Sequence, residues 1–125
     1  MERKLLAIVA ADMVGFSRLV ENNEIEILKR QKKHFIEIIK PTVDKYTGRI
    51  IKTTGDGFLA TFESSMSAVE SSLIIQSKIN ELESMFNNDK RIWYRFGINI
   101  GDVVIDEDDI FCLLYTSDAA DDQLG

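Results

Sequence analysis

The sequence predicts an α+β fold, an antiparallel sheet with its helices packed on one face. Three observations predict it. Strand-like and helix-like segments follow one another in the order β, α, β, β, α, β; Gly55, Asp56 and Gly57 join two β-prone runs as a tight hairpin; and Ile92 to Ile100 alternates apolar with polar residues. That order is the ferredoxin-like arrangement. At 125 residues, 45% of them hydrophobic and 29% charged, the chain has room for one globular domain with a modest core and not for two.

Taken in order, Leu5 to Ala11 is an unbroken apolar run that ends at Asp12, the pattern of a strand covered on both faces. Ile25, Leu28, Phe35, Ile39, Val43 and Tyr46 fall at steps of three, four and seven and trace one helical face, with Pro41 expected to kink or restart the helix. Gly48 to Phe62 reads GRIIKTTGDGFLATF and places Asp56 at the hairpin tip. Ser64 can cap a second helix whose stripe would run Met66, Val69, Leu73, Gln76, Ile79, Leu82 and Phe86. The alternating strand carries Ile92, Tyr94, Phe96, Ile98 and Ile100 on one side. Gly101 and Asp102 are expected to turn it into a short strand, Val103 to Ile105.

With 21 acidic and 15 basic residues the formal net charge is −6, which argues against a nucleic-acid partner, since such proteins need a basic footprint on the phosphates. One Cys excludes an intramolecular disulfide framework. The seven apolar residues Leu5 to Ala11 are too few for a signal peptide or a membrane span, so a cytoplasmic protein is expected.

Cys112 to Asp122, CLLYTSDAADD, shares nothing in composition with the segments before it. Back-translated in one frame, it resembles a transposase-type sequencing-library adapter read as coding sequence. Residues 112–125 are therefore expected to be a non-native tail and residues 1–111 a partial domain. Setting aside Asp118, Asp121 and Asp122 leaves a net charge of −3.

Asp12 and Asp56, one at a strand end and one at a hairpin tip, would meet at one edge of the sheet if their strands are neighbours. Hard Mg²⁺ takes a few carboxylate oxygens and leaves its remaining positions to water and substrate phosphates, so such a pair suits a nucleotide-metal complex. The plainer reading is that Asp12 caps the following helix and Asp56 is a turn residue, and spacing alone favours it.

The segments LAIVAADMVGFSRL, GRIIKTTGDGFLATF and YRFGINIGDVV resemble, in order and spacing, the class III adenylate and guanylate cyclase domain, and the resemblance covers Leu5 to Phe111. It implies the nucleotidyl cyclase fold and an adenylate cyclase that makes cyclic AMP from ATP with two Mg²⁺ or Mn²⁺ ions per site. The family's metal-binding aspartates fall on Asp12 and Asp56. Its phosphate-holding amides fall on Val14, Gly15, Phe16 and Ser17, where exposed N–H groups and a helix dipole favour anions.

The purine-reading position falls on Lys52, where guanylate cyclases carry Glu, and its acidic partner falls on Asp109, before Ile110 and Phe111. Guanine would mismatch both contacts, at roughly 1–3 kcal/mol each. Arg95 falls where the family contacts the triphosphate tail, and its donor fork suits phosphate oxygens. Without the resemblance, Lys52 reads as an edge-strand lysine, Arg95 as a surface cation, His34 as a solvated helix residue and Trp93 as packing or interface surface.

After Phe111 the family would continue with a Gly and a helix bearing Val-Asn-x-Ala-Ala-Arg, which this sequence does not carry. Family sites form across a head-to-tail homodimer, so both sites of a dimer of this chain would lack the same groups. One lost transition-state donor costs about 10²–10³ in rate, so the 125-residue chain is expected to be inactive or nearly so. Three other readings stand beside this one: a catalytically silent cyclase-like module that binds nucleotide or dimerises, a guanylate cyclase, and a diguanylate cyclase. The hairpin signature of the last is missing at Thr54 to Phe58.

Overall fold

The computed structural model describes residues 2–106 and 109–112, without the side chains of 106 and 109–112. Most of the 112–125 tail therefore lies outside the described residues. Strand β1 spans Glu2–Met13, helix α1 Phe16–His34 and helix α2 Lys40–Lys45, with a π-helical turn, Phe35–Ile39, between the helices. Then follow β2 Arg49–Thr53, β3 Gly57–Phe62, α3 Ser65–Glu83, a 3₁₀ turn Asn88–Lys90, β4 Tyr94–Asp106 and β5 Asp109–Cys112. The five strands form one antiparallel sheet in the order β2-β3-β1-β4-β5, which contains the expected β-α-β-β-α-β arrangement.

β1 is the centre of the sheet. Its apolar run is buried on both sides: Ala7, Val9, Ala11 and Met13 join the main core with α1, α2 and α3, while Leu6 and Ile8 join a smaller cluster with Leu59 and Val103. All the helical core residues lie in the first cluster and none in the second, so the helices cover one face, as the order of elements predicts. Asp12 pairs with Arg95 and Gly57, and its alternation with Leu6 and Ile8 puts it on the face without helices.

The expected break at Gly101 and Asp102 does not occur. β4 runs unbroken for 13 residues because β1 offers it a continuous partner, in register from Met13↔Tyr94 to Glu2↔Ile105. Pro41, in the first turn of α2, has no N–H for the carbonyl four residues back, and the helix passes through the π turn before resuming.

Both helical stripes are shifted from expectation. In α1 the buried residues are Leu19, Ile27 and His34, whereas Ile25 and Leu28 are exposed. The helix is broken at Asn23 (φ −163°, ψ 84°), and the break changes which residues face the sheet. In α3, capped by the Ser64 hydroxyl as expected, Ala68, Ser71, Ser72, Ile75, Ile79 and Glu83 are buried while Met66, Val69 and Leu73 are exposed. Small residues let α3 lie close on the sheet, and the hydroxyls of Ser71 and Ser72 donate to Ala68 O at 3.1 and 2.7 Å, so their burial leaves no donor unpaired.

Candidate functional site

Asp12 and Asp56 come together at one end of the sheet. Asp12 lies opposite Gly57 in the β1–β3 ladder, and the next residue, Met13, donates its N–H to Asp56 O at 2.7 Å. Gly57 makes this approach sterically attainable: a Cβ there would fall 1.8 Å from Ala11 O and 2.9 Å from Asp12 Cα. The tip is fixed from both sides. Thr54 N–H donates to Gly57 O, the Thr54 hydroxyl to Asp56 Oδ1 at 3.3 Å, and Gln31 Nε2 of α1 to Gly55 O at 2.8 Å.

Arg95, across from Asp12 on β4, forks onto its carboxylate, with Nε 3.1 Å from Oδ1 and Nη2 3.3 Å from Oδ2. The pair borders a shallow depression of ≈ 340 Å³ lined by Ala10, Ala11, Phe96 and Gly97. Hydrogen bonding to Asp12, then its charge, with a smaller contribution from Asp56, raises the Arg95 pKa above its ordinary value. Both aspartates are thus within electrostatic reach of one guanidinium. Among the described residues no three or more His, Cys, Asp or Glu side chains converge as metal ligands. Two carboxylates are a donor set that fits a hard dication taking its other ligands from water and phosphate.

The turn after β1 is built for α1. Gly15 is the N-cap in the left-handed region (φ 66°), where glycine carries no Cβ penalty. Phe16 and Ser17 open the helix, and amides in a first turn have no carbonyl four residues back to bond. Val14 departs from the sequence expectation: its N–H is already given to Trp93 O at 2.7 Å, which leaves Gly15, Phe16 and Ser17 as the amides of the turn. Sequence reasoning missed Arg18, whose guanidinium lies over Gly15. The signal was present: the first turn of α1 contains no acidic residue, and a cation there opposes the helix dipole unless an anion joins it.

Lys52 pairs with Leu59 across a register shift in the β2–β3 ladder, which places it two strands from Asp12 on the same helix-free face. Asp109 heads β5 opposite Asp106, and its side chain lies outside the described residues. β5 is the sheet edge opposite β2, so within one chain Lys52 and Asp109 sit at the two outer strands.

His34 is not a solvated residue. It is 1% exposed, with Nε2 3.0 Å from Glu83 Oε2 and Nδ1 3.3 Å from the Tyr94 hydroxyl. Burial pushes the Glu83 pKa up, but hydrogen bonds from His34, Arg30 and the Ile92 amide outweigh it and hold the carboxyl below its ordinary value. Burial, then the charges of Glu83 and Asp56, raises the Tyr94 pKa well above the usual tyrosine value. Trp93 is exposed.

Over residues 2–112 the chain matches the family model for the adenylate and guanylate cyclase catalytic domain. It is 37% identical over 109 residues to a putative adenylate cyclase 3 of Rhizobium meliloti, covering 87% of this chain and 19% of that protein. It is 31% identical over 106 residues to an adenylate cyclase of Streptomyces coelicolor, covering 85% and 26%. Among solved structures it resembles an adenylate/guanylate cyclase/hydrolase from Silicibacter pomeroyi, with 46% identity, a TM-score of 0.78, and 89% of this chain against 64% of that one. The chain thus spans a fifth to a quarter of the curated relatives it matches. No helix among the described residues is long and apolar enough to cross a membrane.

Proposed function

Because the chain belongs to the adenylate and guanylate cyclase catalytic domain family, we propose that it supplies the metal-binding and base-reading part of an adenylate cyclase. The reaction is attack of the ATP ribose 3′-oxygen on the α-phosphorus. The P–O bond to the β-phosphate breaks, pyrophosphate leaves, and the 3′-hydroxyl proton passes to solvent or a base. The observation that carries the reading is the Met13–Asp56 bond, which seats two carboxylates on adjoining strand ends beside an uncompensated helix N-terminus.

Asp12 and Asp56 hold Mg²⁺ or Mn²⁺, which supplies charge neutralisation and activation of the hydroxyl. The amides of Gly15, Phe16 and Ser17, with Arg18 over the turn, receive phosphate oxygens. Arg95 releases Asp12 when the substrate arrives and turns its fork to the triphosphate. Lys52 donates to an adenine ring nitrogen and Asp109 accepts from the exocyclic amine, a pair that favours ATP over GTP. As the family resemblance implies, the reading places each active site between two copies of the chain, with Asp12 and Asp56 from one copy and Lys52 and Asp109 from the other.

Residues 1–111 are then the native part, residues 112–125 a translated adapter, and the 125-residue chain by itself is expected to be inactive. Genomic sequence past the codon for Phe111 and a cyclic AMP assay of the extended protein test this. A Val-Asn-x-Ala-Ala-Arg helix and turnover abolished by Asp12→Ala and by Asp56→Asn support the enzyme. A stop codon replaces it with the silent nucleotide-binding or dimerising module, whereas turnover unchanged in both variants removes Asp12 and Asp56 as the metal-binding pair.

A further inference from the structure

Glu83, at the last turn of α3, is a carboxylate 2% exposed, and every partner it has is a donor. Arg30 approaches through Nη2 and Nε, His34 through Nε2, and the Ile92 amide donates to Oε1 at 2.8 Å. Arg30 also donates to Lys90 O at 2.9 Å and lies over the Phe86 ring, 3.7 Å from its centroid. One buried group thus gathers α1, α3 and the segment leading into β4. None of these side chains is needed by the reaction described above. So much buried charge calls for an explanation, because a buried ion pair is poor evidence of stabilisation.

The segment held is the one that sets the phosphate turn. Glu83 fixes the N–H of Ile92, and the carbonyl of the next residue, Trp93, accepts the Val14 N–H at 2.7 Å. Tyr94 then pairs with Met13, whose own N–H reaches Asp56 O. A route along α1 is weaker, since the break at Asn23 separates Arg30 and His34 from Phe16 and Ser17. We propose that Glu83 is a positioning residue for the phosphate turn and the paired aspartates, acting through the backbone of Ile92 and Trp93 onto Val14. The proposal rests on the cyclase reading of that turn.

Glu83→Gln is the informative change, because a side-chain amide must point its NH₂ at a donor whichever way it is turned. The test is amide hydrogen exchange by NMR on the full chain, reading the rate at Val14 relative to Val9 in the middle of β1, together with titration of Mn²⁺–ATP. The expected result is a Val14/Val9 exchange ratio raised about tenfold, as for local opening, with Mn²⁺–ATP affinity lowered by a similar factor. A core change on the same helix, Ile79→Val, should speed both amides and leave the ratio alone. Should Glu83→Gln fail to fold, His34→Gln, which leaves Arg30 and Ile92 on the carboxylate, should move the ratio in the same direction by less.

A ratio that stays at the parent value overturns the proposal, because Glu83 then acts only on global stability. A raised ratio with unchanged Mn²⁺–ATP affinity overturns it too. If the parent chain shows no Mn²⁺–ATP binding, the reading of the turn as a phosphate site fails and takes the proposal with it. A parent that binds and a variant that binds equally well sinks only the role of Glu83.

Discussion

Gly57→Ala tests the geometry that brings the two aspartates together. The new methyl would stand 1.8 Å from Ala11 O and 2.8 Å from Ala11 C, where real Cβ contacts stay beyond 3.0 Å. The obstacle is backbone in the central strand, so the hairpin tip has to retreat. That strains two hydrogen bonds, Met13 N–H to Asp56 O and Thr54 N–H to Gly57 O. At about 0.5–1.5 kcal/mol each, plus about 1–3 kcal/mol for overpacking, the change should cost about 2–6 kcal/mol. Gly55→Ala is the control two residues away: its methyl meets nothing within 4 Å, so it should change stability by no more than about 0.5 kcal/mol. Urea unfolding of the three chains measures the difference. Equal stability of the two variants would refute the claim that the β1–β3 approach at Asp12 depends on a missing Cβ.

Three further outcomes follow from the same structure. Gly15→Ala should cost about 1–2 kcal/mol because the N-cap of α1 is left-handed, and Gly15→Asn should cost less; an alanine variant as stable as the asparagine variant would contradict it. Tyr94 is neutral in the fold well above its ordinary value of 10.0, so its contribution to stability is present below that value and is lost as pH rises past it and the unfolded chain ionises. Unfolding measured along the alkaline limb should therefore be less pH-dependent in Tyr94→Phe, and identical slopes would contradict the burial argument. In the extended protein, Lys52→Glu should shift nucleotide preference towards GTP by about tenfold or more in relative kcat/KM, while an unaltered preference for ATP would remove Lys52 from base selection.

The features legible in the sequence are those set by local pattern. The apolar run of β1, the Gly55–Gly57 hairpin, the Ser64 cap and the alternation through Tyr94 and Phe96 each depend on neighbours a few residues away. The helical faces are not legible where burial is decided at long range. His34 and Glu83 are buried because they find each other 49 residues apart, and Ser71 and Ser72 because small residues suit a close helix-to-sheet contact. Met66 and Leu73 are apolar and exposed, so periodicity places them on the wrong side. At the site, Asp12 and Asp56 were legible as an acid at a strand end and an acid at a turn. The fork from Arg95, 83 residues on, and the use of the Val14 amide by Trp93 were not, since both follow from strand register.

The most direct test of the shared cation is paramagnetic broadening of backbone amides during a Mn²⁺ titration of the chain with ATP present. Two segments, Asp12 to Ser17 and Gly55 to Gly57, should broaden together at the lowest Mn²⁺ concentrations. Either Asp12→Asn or Asp56→Asn should abolish the effect in both. Broadening confined to one segment, or persisting in both variants, would show that these carboxylates do not hold one metal centre.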